Sequence, residues 1–295
     1  MADKFGRKYR LTIGGTNDIG ASSNLRKSAV LTELHIEFDI KVTKKSKLNT
    51  LELKIYNLKQ ETITLFEVKD VLVTLEVAYA DEPFVVIFRG DKTSMKTVSD
   101  PPDIITTVVA AEGYSTTRES RIQKPTPEGS TVESIIRTIV KDSMPAIKSV
   151  NINGDATKKV YKKGYSLNGN SKAQIDDICK ANNLDWTIEK NETIYVFPKK
   201  GDIKVEAIVI SPDNGLLAKP EKTSQDVRNL KDDLDIPPDS GIRFQCLLNP
   251  LIKAGQIVQI QGTFNSDGNY RVDSVSHKGG YESQDWTTTI EASNY

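Results

Sequence analysis

The run Gly164-Tyr165-Ser166-Leu167-Asn168-Gly169-Asn170-Ser171 comes nearest to a chemical signature in this chain. It nearly spells a phosphate loop, whose glycines let backbone N–H groups close on phosphate oxygens and whose lysine meets their charge. Asn170 stands where that lysine belongs, so the run reads as a loop entering a capped helix. Paired carboxylates could share acid and base duties across a cleft. Adjacent acids occur at Asp176-Asp177 and Asp232-Asp233, but among 40 acidic residues adjacency is common, and nothing converges two of them on a substrate. His35 and His277 are isolated, with neither zinc spacing nor a Gly-x-Ser-x-Gly elbow to serve. Cys179 and Cys246 lack Cys-x-x-Cys spacing and are expected to be reduced, buried thiols. Asn191-Glu192-Thr193 is a formal glycosylation sequon. Trp186 and Trp286 could stack on sugars, yet each sits in an apolar strand pattern that points to packing. No catalytic residue, cofactor or metal ligand is assigned.

Composition excludes further classes. The 295 residues allow two or three domains. No apolar run approaches the length of a membrane-spanning helix. The start, Met-Ala-Asp-Lys-Phe-Gly-Arg, has no apolar core, so no secretory leader is expected. Lys plus Arg equals Asp plus Glu at 40 each, which rules out the global basic field of a duplex nucleic-acid binder.

The scaffold is legible in the hydrophobic pattern. Over 34–42, Leu34, Ile36, Phe38, Ile40 and Val42 alternate with charged residues or His, the period of a half-buried antiparallel strand whose even positions face a core. Residues 51–58 read as its partner, ending in a turn. Further strands are expected at 71–79, 84–90 (an apolar run suited to burial on both faces) and 104–111. Gln123-Lys124-Pro125-Thr126-Pro127-Glu128-Gly129 signals a linker. A helix follows, with Ser130 and Glu133 as a reciprocal cap and Val132, Ile135, Ile136, Ile139 and Val140 as its apolar stripe. A second helix is expected with Ser171 and Gln174 as its box and Ile175, Ile178 and Cys179 inward, stopping at Asn182-Asn183. A hairpin then turns over Lys190-Asn191-Glu192. Beyond 201 the chain returns to strands, at 203–210, 242–248, 256–261, 270–276 and 286–292.

The expected fold is mainly β with an α+β insert. A first β-barrel covers 1–111, a small α+β module 127–200 and a second β-barrel 201–295, with 112–126 a candidate extra strand of the second barrel. A polar loop spans 216–240. It holds Lys219, Lys222, Arg228 and Lys231 beside Asp226, Asp232, Asp233 and Asp235, and is a candidate partner-contacting arm.

Several segments resemble phage tail-hub proteins, a tube-like β-barrel family related to the hub part of type VI secretion spikes. They are Ile208-Val209-Ile210-Ser211-Pro212-Asp213-Asn214-Gly215, the Leu247-Leu248-Asn249-Pro250 step with its restart after Gly255, Gly268-Asn269-Tyr270-Arg271-Val272, and Asp285-Trp286-Thr287-Thr288. Ile55-Tyr56-Asn57-Leu58 and Phe88-Arg89-Gly90 add to them. The resemblance implies two tube-protein-like barrels per chain and a homotrimeric ring that joins a threefold spike to a sixfold tail tube. It implies as partners the tail tube protein, the spike protein and other baseplate proteins, with phage DNA passing through the ring without sequence-specific binding. It places the protein in the virion, assembled in the host bacterial cytoplasm. The 218–240 segment is longer and more charged than the family's matching loop. A tail-associated cell-wall hydrolase and a carbohydrate-binding tail adhesin are the alternatives. Release of sugar or peptide from cell wall would mark the first, and saturable polysaccharide binding the second.

Overall fold

The structure, a computed structural model, describes residues 6–15, 28–43, 48–67, 69–80, 82–199, 207–224, 240–281, 283 and 285–294. It is mainly β, as the alternation requires, with an α+β module between two β regions. The first region contains β1 (Arg7–Gly15), β2 (Ala29–Leu31), β3 (Ile36–Thr43), β4 (Thr50–Tyr56), helix α1 (Gln60–Glu67), β5 (Val71–Tyr79), β6 (Val85–Asp100) and β7 (Asp103–Ala111). In β3 the expected register holds. Ile36, Phe38 and Ile40 are buried, the odd positions stay wet, and β4 pairs alongside with Phe38 opposite Leu53.

Several features depart from the sequence reading. Helix α1 was not expected, since Thr62, Ile63 and Thr64 favour strands. It forms because Ile63 and Phe66 bury into the core. β6 continues beyond Gly90 to Asp100 as a polar hairpin arm with β7. Residues 84–86 are only half-buried, so the apolar run at 84–90 is not enclosed on both faces.

The module contains α2 (Tyr114–Glu119), β8 (Arg121–Pro125), β9 (Ser130–Thr131), α3 (Val132–Ser143), β10 (Ser149–Ile152), β11 (Val160–Tyr161), β12 (Ser166–Asn170), α4 (Ser171–Ala181), β13 (Leu184–Glu189) and β14 (Thr193–Pro198). The apolar stripes of α3 and α4 face one core with Trp186, Ile188, Ile194 and Val196. Both caps sit one residue from their expected places. Thr131 rather than Ser130 caps α3, accepting from the Ser134 N–H at 3.1 Å, and Asn170 rather than Ser171 caps α4, accepting from Ala173 at 3.1 Å. Ser130 instead bonds the Pro127 carbonyl, and Gln174 bonds that of Asn168. Asn183 takes the left-handed conformation that ends α4. β8 pairs with β12, and Ile122 joins this core, so the strand at 121–125 packs with the module.

The last region contains β15 (Ile208–Ile210), β16 (Glu221–Ser224), β17 (Ser240–Leu247), β18 (Ile257–Ile260), β19 (Gly268–Gly280) and β20 (Trp286–Asn294). The stretch read as one polar loop over 216–240 is therefore interrupted, because β16 forms an edge strand on β17. The described strands of the two β regions make one sheet, β16-β17-β20-β19-β3-β4-β7-β6-β5-β1-β2, with β18 on β19 and β15 parallel to β18. β19 couples the regions. Its first half contributes Tyr270, Val272 and Val275 to the second core, while its last residues pair with β3 of the first. Trp286 and Leu248, from late in the chain, complete the first core. Gly279 must be glycine here, since a Cβ would collide with the Phe38 ring and lie 2.9 Å from Trp286.

Candidate assembly surfaces

The residues singled out for chemistry turn out to be structural. Asn170 caps α4 and donates to the Thr117 carbonyl at 2.9 Å, which is why the phosphate-loop-like run carries no lysine there. Asp176 takes Lys172 at 2.6 Å and the Trp186 indole N–H at 2.7 Å. Trp186 and Trp286 are both buried. Cys179 and Cys246 are buried thiols that form no disulfide with each other, and burial pushes the Cys179 thiol up to about 12. His35 packs edge-on against Tyr56, and His277 is enclosed, with Nδ1 2.9 Å from the Thr288 hydroxyl. No cluster of three potential metal ligands occurs among the described residues. No helix among them is long and apolar enough to cross a membrane. Of the candidate arm, Lys219 is exposed and Lys222 lies exposed on edge strand β16. Arg228, Lys231, Asp232 and Asp233 lie outside the described residues, as do Asp226 and Asp235.

A dense polar constellation among the described residues forms a joint that the sequence did not disclose. Lys190 and Asn191 both adopt positive φ, and Glu192 N–H donates to the Glu189 carbonyl at 3.1 Å, giving the tight turn that suits strand twist. This tip of the β13–β14 hairpin docks on the first β region. Asn191 Nδ2 donates to Asp91 at 2.9 Å, its Oδ1 accepts from the Gly113 N–H, and Asp91 also accepts from Ser115 N–H at 2.8 Å. Arg89 and Lys148 both pair with Glu192. On the other side, Lys253 Nζ reaches Glu189 at 2.6 Å, and the buried Arg271 donates to the Lys199 and Pro198 carbonyls. The module is thus pinned to both β regions by charge-assisted bonds, the Lys253–Glu189 pair being the most shielded from water.

Glu112 lies at the centre of this joint. It accepts from Asn49 Nδ2 at 2.8 Å and from the Arg89 N–H at 3.3 Å. Burial pushes its carboxyl up to about 7, against the pull of the Asn49, Lys190 and Arg89 donors. For Lys253, burial pulls the pKa down, but Glu189 and Tyr195 together outweigh it and hold it above its usual value. Because the folded Glu112 binds its proton more tightly than the unfolded chain does, its contribution is full below about pH 4.5 and is lost as pH rises to about 7. Its size is on the order of 3 kcal/mol. Glu112→Gln should therefore show a flatter fall in stability than the unaltered protein from pH 5 to pH 8, read by urea denaturation. Parallel profiles would refute the assignment.

Among the described strands, the sheet ends at short edge strands, β2 and β16. Apolar side chains stand in water at Val98 and Ile104 on the hairpin arm, at Leu217, at Leu251 and at Phe264. A cavity of about 230 Å³ opens beside Leu251, walled by Val77, Tyr79, Pro83, Val85, Leu248 and Trp286.

Comparison with known proteins agrees with this architecture. The fold is similar to the tail protein from Neisseria meningitidis MC58, at 9% identity and a TM-score of 0.69 over 98% of this chain and 97% of that one. It is similar to the 43 kDa tail protein of prophage MuSo2 from Shewanella oneidensis, at 8% identity and 0.64 over 97% of each. It also resembles the E. coli c3393 protein, described as a component of the type VI secretion system with structural similarity to T4 tail proteins gp27 and gp5. There the identity is 11% and the TM-score 0.56 over 88% of this chain and 73% of that one. No curated protein matches by sequence. Residues 22–285, nearly the whole chain, match the family of baseplate hub gp41, and the protein therefore belongs to that family as a phage tail component.

Proposed function

We propose that the protein is a non-enzymatic hub that forms a homotrimeric ring and adapts a threefold spike to a sixfold tail tube. The observation that carries this reading is the single sheet that links two β cores within one chain. Two β units per chain, at about 1–111 and 201–295, give six similar faces when three chains close a ring, so one ring can meet partners of either symmetry. The module at 127–200, joined by the strand at 121–125, braces both units through the Glu189 and Glu192 contacts. Tail tube protein, spike protein and other baseplate proteins are the partners, and DNA passes through the ring without being read, in keeping with a net charge of zero. Assembly takes place in the host bacterial cytoplasm. The segment that begins at Lys219 and Lys222 and continues through Arg228, Lys231, Asp232 and Asp233 serves as an arm to a neighbouring subunit.

Light scattering of the hub with its spike partner should give three hub copies per complex, and a stable dimer or hexamer of hubs would contradict the ring. Limited proteolysis should cut within 225–239 readily in the free hub and slowly in the assembled baseplate. Equal rates would remove the arm. Cleavage of purified cell wall by the pure hub, lost on changing one Asp or Glu, would favour a hydrolase instead.

A further inference from the structure

Phe264 is the most exposed large apolar residue among the described residues, with its whole side chain in water. Leaving a phenyl ring in water forgoes the burial that normally fixes an aromatic. The turn that carries it is nevertheless tightly built. Asp267 accepts from the Gly262 N–H at 3.1 Å, and from the Thr263 N–H and hydroxyl at 2.6 and 2.8 Å. The Tyr270 hydroxyl donates to the Ser266 carbonyl at 3.1 Å. The ring is therefore presented at low entropic cost, as a binding anchor requires.

The cavity beside Leu251 has the complementary character. Its about 230 Å³ exceeds the roughly 150 Å³ that accommodates a benzene ring. Tyr79 and Trp286 form its aromatic wall, and the Trp286 indole N–H, though buried, has no acceptor. Leu251 stands 60% exposed on the rim. One charge pair favours the match: Asp267 anchors the Phe264 turn, and Arg7 lies 5.9 Å from the centroid of the Trp286 ring in the cavity wall, while Glu82 in the lining offsets part of that attraction.

Knob and cavity lie at opposite ends of one strand. The Phe264 turn leads into Gly268 at the start of β19, whereas Trp286 pairs with Gly279 near its end. That separation is roughly 35 Å of extended chain, so one copy's Phe264 is out of reach of its own cavity. We propose that Phe264 of one copy of this chain inserts into the Tyr79–Trp286 cavity of the next, head to tail. A contact between unlike patches propagates around a ring when the rotation closes. One phenylalanine cannot supply the whole of a stable interface, so it acts as the anchor within a larger contact. The proposal rests on the ring reading above.

The test uses the full-length chain, Phe264→Ala, Leu251→Arg and their equimolar mixture, in sedimentation velocity over a concentration series. Both residues are exposed, so both variants should keep the thermal midpoint of the unaltered protein. Each variant alone should self-associate at least about 10-fold more weakly than the unaltered chain, the minimum for an anchor residue. The mixture should form dimers and nothing larger, because a single productive knob-and-cavity pair survives. If the unaltered chain forms trimers and Phe264→Ala does so equally well, the knob assignment falls and the ring stands. If the mixture stays monomeric, or if Leu251→Arg leaves association unchanged, the pairing is wrong. An unaltered chain that stays monomeric at every concentration removes the ring and this contact together.

Discussion

Phe38→Ala should destabilise the protein by about 3–5 kcal/mol, the range for removing a buried aromatic from a core that cannot collapse around the void. Phe38 is 3% exposed and packs edge-on against Trp286, with ring centroids 5.6 Å apart. Behind it lies Gly279, whose missing side chain leaves room for this ring alone. Its neighbour Asp39 points the other way and meets Ser276, Lys41 and Lys278 on the wet face. Asp39→Ala should cost under about 1 kcal/mol, as exposed ion pairs do. The comparison is read from urea midpoints at constant m-value. Comparable losses from the two changes would mean that β3 does not hold its even positions in the core.

His277 should make the protein acid-sensitive. It is enclosed between β3 and β20, opposite Ile40 and Thr288, and burial holds its imidazole down at about 3. The unfolded chain takes up this proton near pH 6.5 while the folded one resists it. The contribution is thus complete above 6.5 and is lost as pH falls toward 3. Between pH 7 and pH 5 the loss is about 2 kcal/mol, and over the whole window it is on the order of 5 kcal/mol. His277→Gln keeps a partner for the Thr288 hydroxyl but cannot take up a proton, so on going from pH 7 to 5 its stability relative to the unaltered protein should rise by about 2 kcal/mol. A variant as acid-sensitive as the unaltered protein would show that other groups carry the slope. Glu112 acts in the opposite sense, and the two together place maximal stability at mildly acidic pH.

The strands were legible where burial is one-sided. In β3 and β4, alternation alone places every core residue, because a one-residue slip would move them all to water. The α3 and α4 stripes were legible for the same reason, with caps misplaced by one residue because Ser130, Thr131, Asn170 and Ser171 all suit a cap. Helix α1 was hidden because its β-branched residues argue against a helix until Ile63 and Phe66 find their core. The joint around Glu112 was hidden because Asn49, Asp91, Glu112 and Asn191 are far apart in sequence and carry no spacing signal. The likeness to tail hubs was legible in turn motifs. The knob and cavity were not, since Phe264 looks in sequence like any aromatic near a turn, and the cavity is assembled from three separate segments.

The placement of β19 bears on when this protein becomes competent during its synthesis. Its β3 partner emerges early from the ribosome, yet the Asp39–Ser276 contact spans 237 positions, and Trp286 seals the first core almost at the end of the chain. Such distant pairing is slow to form and comes late. The first region to be translated is thus the last to be finished, and a chain broken off before β19 leaves Phe38 facing an open core. Incomplete products therefore cannot imitate a finished subunit. The order of translation itself thus screens out chains that stop short of β19.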